Sequence, residues 1–180
     1  MEIIRTQIEG LLILRPRSFS DERGTFLESY NKEVFDREGI NVDFVQDNQS
    51  VSVKGVLRGL HFQKKPHAQA KLVRVSRGKV LDVAVDIRKN SPTYGKHVAL
   101  ELDAVENTMF YIPAGFAHGF VALEELSVFV YKCSAYYNKA SEETIAWNDP
   151  DLNIHWKVTD PVISSKDKKG WSFRDLPEFF

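Results

Sequence analysis

The chain has 180 residues, with 24 Lys and Arg against 25 Asp and Glu and a formal net charge of −1 at pH 7. That length allows one domain, 1–180, with an ordinary core, and the balanced charge excludes a polyanion-binding surface, so no nucleic acid is expected as partner. No apolar run reaches the ~20 residues of a membrane span, so no membrane is expected either.

The N-terminus has no basic start followed by a long apolar stretch and a small-residue cleavage site, so it does not read as a signal peptide. A helix is expected after Asn31, a suitable N-cap, with Val34 and Phe35 as its apolar patch and Gly39 as its stop. Residues 48–63 then form a strand-like, Gly-punctuated run carrying Arg58 and His61. Period-two apolar runs at 70–76, 79–87, 97–103 and 126–133 predict strands. Gly78, between the first two, reads as a hairpin turn, and Ser91–Gly95 as another turn. The segment Tyr111–Phe120 delivers His118 after a Pro–Gly turn. The single Cys133 excludes an internal disulfide, reads as a small buried residue and fits a reducing, cytoplasmic setting. A short helix is expected at 141–146, a solvated loop at Lys166–Lys169, and docking of the terminal Phe179 and Phe180 against the body. Short strands separated by turns argue for a sandwich, barrel or jelly roll.

Two histidines on β-type segments raise the choice between a metal and a proton. Metal-binding cupin barrels supply a His-x-His pair, a carboxylate and a third His. Pro113-x-Gly115-x-x-His118 looks like the second of these motifs, but His61 is followed by Phe62 and Gln63, and no Glu occurs between His61 and Gly78. A divalent ion needs three or four converging ligands, and the chain does not offer them, so no metal is expected. The proton-transfer reading has its parts. A histidine titrates near neutrality at about 6.5 and a tyrosine near 10, which suits His61 to a base and Tyr131 to an acid. Arg58 and Lys71 are cations in apolar strands and call for an anion. Asp167 is a candidate to orient His61.

Arg58 and His61 are three residues apart, and strict strand alternation puts such residues on opposite faces. Sharing one pocket requires a bulge or bend, expected at Gly59.

The segments Asp21–Gly24, Phe44–Asn48, Gly55–Gln63, Lys71–Val75, Asp82–Lys89, Ser91–Gly95, Ile112–Phe120 and Tyr136–Asn138 closely resemble, in order, the dTDP-4-dehydrorhamnose 3,5-epimerase family. The match is thinner beyond about residue 150. The resemblance implies a mainly β, cupin-like jelly roll with a few short peripheral helices, working as a homodimer without metal or other cofactor. It implies inversion of C3 and C5 of dTDP-4-dehydro-6-deoxy-D-glucose, the near alternative being a mono-epimerase or ketoisomerase on a related dTDP-sugar. It casts His61 as base, Tyr131 as acid, Asp167 as the partner of His61, and Lys71 beside the sugar ketone. Arg23, Glu28, Gln46, Asn48, Arg58, His118, Glu142 and Lys166 become ligand contacts. Phe19 and Tyr137 become the pair that sandwiches the thymine ring, one of them from the neighbouring subunit. Two departures stand out. Lys139-Ala140 replace the usual Pro-Glu, which leaves Glu142 and Glu143 as rival contacts, and Lys166 replaces a usual Arg, turning a bidentate phosphate contact into a point charge.

Overall fold

Thirteen strands account for most of the regular structure in the computed structural model, which describes residues 1–180. In chain order they are β1 (Glu2–Arg5), β2 (Leu12–Arg15), β3 (Ser18–Asp21), β4 (Gly24–Leu27), β5 (Gln46–Ser52), β6 (Leu57–Gln63), β7 (Lys71–Arg77), β8 (Lys79–Asp86), β9 (His97–Asp103), β10 (Met109–Ile112), β11 (Phe116–Ala122), β12 (Ser127–Cys133) and β13 (Glu142–Thr144). One helix, α1 (Lys32–Arg37), lies between β4 and β5. No helix is long and apolar enough to cross a membrane. Two sheets face each other as a cupin-like jelly roll, one in the order β1-β2-β10-β7-β12-β5 and the other β13-β6-β11-β8-β9; β3 and β4 pair only with each other.

Alternation along the strands builds three apolar layers. Val73, Val75, Phe129 and Phe110 from the first sheet meet Val80, Ala84, Phe116 and Phe120 from the second and fill the space between them. Each buried Val or Phe among them contributes about 1.5–3 kcal/mol. The outer face of the first sheet is covered by α1 through Phe35. The expected cap holds: Asn31 Oδ1 accepts from the Glu33 and Val34 amides at 3.0 and 3.4 Å, and Gly39 follows the helix at φ +83°. The outer face of the second sheet (Leu57, Leu60, Phe62, Leu81, Val83) is covered by the chain beyond β13 through Leu152, Trp156 and Leu176. Phe179 and Phe180 dock on Phe62, with ring centroids 5.4 and 6.2 Å away.

Two expectations are corrected. Gly78 does not make a hairpin: β7 pairs with β10 and β12, while β8 pairs with β11 and β9. One linking residue is shorter than the two that the tightest common hairpin needs, so the chain crosses from one sheet to the other there. The segment 141–146 is not helical; Glu142–Thr144 pair antiparallel with Gln63–His61 as β13. Ladder bonding on an open edge outweighs the weak local preference of a four-residue polar run.

The Ser91–Gly95 turn is anchored by a carboxylate at the end of β8. Asp86 is fully buried and accepts from Arg88 Nε (2.8 Å), Ser91 Oγ (2.6 Å) and Thr93 Oγ1 (2.6 Å). Burial opposes its charge, but the bonds from Arg88, Ser91 and Thr93 prevail and bring the pKa from 3.8 to about 2. A folded-state value below the unfolded one stabilises fully above the unfolded pKa and is lost as pH falls through the folded one. The shift corresponds to roughly 2.5 kcal/mol. Urea midpoints followed from pH 5 to pH 2 are expected to fall steeply in the wild type. The Asp86→Asn variant is expected to start about 3 kcal/mol lower at pH 7 and to show a shallower fall.

Candidate active site

The site begins with an irregularity in β6. His61 pairs with His118 on β11, yet Arg58 pairs with Phe120, so two residues of β6, Gly59 and Leu60, oppose the single Gly119 of β11. The extra residue is accommodated at Gly59, where φ is +144°. A Cβ on Gly59 would come within 2.5 Å of Gly119 Cα, so the strands approach this closely only as glycines. The bulge resets the alternation. Leu57, Leu60 and Phe62 all face the outer apolar layer, while Arg58 and His61 both line a cavity between the sheets. The bend expected at Gly59 is present.

That cavity has a volume of about 510 Å³. His61 Nε2 lies 2.6 Å from Asp167 Oδ1. Burial works against the Asp167 carboxylate, but hydrogen bonds from His61, Ser164 and the Gly59 amide prevail and its pKa is lowered. With Nε2–H donating to Asp167, the lone pair of His61 resides on Nδ1. Asp167 arrives from far along the chain, on a short 3₁₀ turn (Asp167–Lys169) held by the parallel bridge of Val162 to Val56. The facing sheet supplies Lys71 and Tyr131, two inward positions on β7 and β12. Burial lowers the pKa of Lys71. Burial, then the neighbouring Cys133, raises that of Tyr131. A histidine on one wall thus faces a desolvated amine and a protonated phenol on the other. Cys133 is buried, as expected.

A second cavity of about 300 Å³ shares His61, Lys71 and Tyr131 as walls and adds Gln46, Asn48, Tyr137 and Glu142. Gln46 and Asn48 point inward from alternate positions of β5 and bond to each other at 3.0 Å. Tyr137 Oη donates to Glu142 Oε2 at 2.9 Å, and the other Glu142 oxygen pairs with Lys166. Burial opposes the Glu142 charge, but Lys166 and Tyr137 outweigh it and lower its pKa. Glu143 points the other way, to Lys64 and Trp171, so Glu142 is the acid that faces the cavity.

His118 lines the first cavity but is committed at one end. Its Nε2 donates to both oxygens of Asp82, at 3.0 and 2.9 Å, and burial, opposed by Asp82, lowers its pKa. Asp82 was not among the residues expected in the site. The signal was present as a lone acid inside the buried run Val80–Val85. Ser50 was missed as well; its hydroxyl lines the cavity, buried and without a hydrogen-bond partner. Three expected contacts are not gathered. Phe19 and Arg23 sit on the β3–β4 hairpin, with Phe19 51% and Phe26 70% exposed. Arg23 pairs with Asp21 there, and Glu28 accepts from Asn31 on the surface. Within one chain these groups lie outside both cavities.

A family profile described as dTDP-4-dehydrorhamnose 3,5-epimerase matches residues 5–175. The chain belongs to this family. A dTDP-4-dehydrorhamnose 3,5-epimerase from Shigella flexneri is 51% identical over 180 residues, covering 99% of each chain. The crystal structure of the enzyme of that name from Elizabethkingia anophelis superposes with a TM-score of 0.92 at 50% identity, over 97% of both chains. A Legionella pneumophila epimerase, solved in complex with dTDP-4-keto-L-rhamnose, superposes at 0.95 with 45% identity, over 98% of this chain and 94% of that one. Against these epimerases, the fold expected from the Gly55–Gln63 and Ile112–Phe120 motifs holds over nearly the whole chain, including the stretch beyond residue 150.

Proposed function

We propose that this chain is a cofactor-independent 3,5-epimerase of a dTDP-4-keto-6-deoxy sugar, with residues 1–180 acting as one catalytic unit. The observation that carries the reading is the Asp167-held His61 facing Lys71 and Tyr131 across a single cavity. The C–H bonds at C3 and C5 flank the C4 ketone, and loss of either proton moves its electron pair onto O4 as an enolate. His61 takes that proton on Nδ1, and Asp167 stabilises the imidazolium. Lys71 donates to O4; one such preorganised donor is worth about 3–4 kcal/mol of barrier. Tyr131, kept protonated by burial, delivers a proton to the opposite face, which inverts the carbon. Once His61 has released its proton and Tyr131 has taken one up through solvent, a second round serves the other carbon.

Arg58 and Lys166 are the cations offered to the diphosphate, and Gln46, Asn48, Tyr137 and Glu142 to the nucleoside. Lys166 must leave Glu142, at least in part, to meet phosphate. The exposed β3–β4 hairpin supports a homodimer in which Phe19 and Arg23 complete the site of a second copy. The single buried Cys133 is in keeping with a cytoplasmic setting.

The test is incubation with dTDP-4-keto-6-deoxyglucose in deuterated water. Deuterium is expected at both C3 and C5 of the product. Label at one carbon alone would establish a mono-epimerase, and a product with its keto group moved would establish a ketoisomerase.

A further inference from the structure

One buried side chain stands apart from the chemistry yet bonds on both sides of a site residue. Gln63 is 4% exposed and follows His61 by two positions on β6. Its Nε2 donates to the carbonyls of His67 (2.7 Å) and Tyr136 (3.2 Å), and its Oε1 accepts from the Asn138 amide at 2.6 Å. The amide between these two, that of Tyr137, donates to Gln46 Oε1 at 2.9 Å. The loop after β12 is therefore held at three consecutive residues by two glutamine side chains. Every polar atom of the Gln63 amide has a partner, so the group cannot turn over without losing a bond.

We propose that Gln63 is the positioning residue that presents the Tyr137 ring to the nucleobase, so that one strand carries the base at 61 and sets the nucleotide-binding loop at 63. The inference rests on the reading of Tyr137 as a nucleobase contact. The reacting carbons lie at the other end of the substrate. Loosening the loop therefore weakens the hold on the nucleoside and leaves the His61–Asp167 chemistry in place. Gln63 lies in the wall of the second cavity, but its amide nitrogen and oxygen are both taken up by backbone groups, so its polar atoms act on the nucleotide through the loop that carries Tyr137.

The test uses Gln63→Met, which keeps the volume and removes all three bonds. Gln63→Glu is its companion: it retains an acceptor for Asn138 but sets an oxygen against two carbonyls. Either variant is expected to weaken thymidine diphosphate binding by about tenfold or more, the usual effect of losing buried hydrogen bonds. KM for the dTDP-sugar should rise in the same proportion with kcat little changed. Pyrophosphate binding should be unaffected, and hydrogen exchange of the Asn138 amide should accelerate in Gln63→Met. In a Tyr137→Ala background either substitution at Gln63 should add almost nothing, the mark of two residues acting as one. A fall in kcat at constant KM overturns the proposal, as do effects at 63 and 137 that simply multiply. Unchanged Asn138 exchange in Gln63→Met overturns the loop restraint itself. Faster exchange together with undiminished nucleotide binding by Tyr137→Ala would instead locate the failure in the nucleobase reading.

Discussion

His61→Ala is expected to abolish epimerisation, lowering kcat by about 10³-fold within the usual 10²–10⁴ range for a general base, while thymidine diphosphate still binds. Solvent deuterium should stop entering C3 and C5 together, because one imidazole serves both carbons. Asp167→Asn should fall in the same direction. An asparagine amide can donate to Nε2, which moves the ring proton to Nδ1, the atom that must be free. It also removes the negative charge that supports the imidazolium. Mass spectra of recovered sugar nucleotide from deuterated buffer read both effects. Exchange at wild-type rate in His61→Ala would transfer the base role to another group and sink the mechanism.

Tyr131→Phe is expected to separate two events that run together in the wild type. The phenol is held protonated by burial, and its loss removes the donor on the far face while leaving His61 and Lys71 in place. Product formation should drop by about 10²–10³-fold. Washout of ring protons should drop far less, since the enolate still forms and His61 can return a proton to the face it came from. Comparing label in recovered substrate with product by NMR makes the distinction. Equal losses in both would mean that Tyr131 supports enolate formation rather than reprotonation.

Much of this site could be read along the chain because its parts sit on regular strands. The runs at 70–76, 79–87, 97–103 and 126–133 have strong period-two patterns and became β7, β8, β9 and β12. The clash between Arg58 and His61 was itself informative, since alternation is strict enough that a violation must have a structural remedy, and Gly59 was the one residue able to supply it. What escaped reading depended on partners distant in sequence. β13 is a strand only because β6 offers an open edge, and Gly78 is a crossing only because β7 and β8 have better partners elsewhere. Asp82 lay hidden in an apolar run, and its meaning emerges only beside His118. The hairpin carrying Phe19 and Arg23 pairs only with itself and lies outside both cavities, so no strand pattern along the chain ties those residues to the site.

Phe120 and Phe129 stack between the sheets with centroids 4.1 Å apart and planes 19° from parallel. They belong to β11 and β12, the neighbours of the strands that carry His61 and Lys71. His61 and Lys71 are therefore mounted on opposite sheets, with the two stacked rings packed in the gap between them. For the proposed epimerisation, the sandwich itself places groups on both sides of the sugar. Both rings also line the cavity shared by His61, Lys71 and Tyr131, so on the proposed reading ring size at 120 and 129 bears directly on the clearance for the sugar.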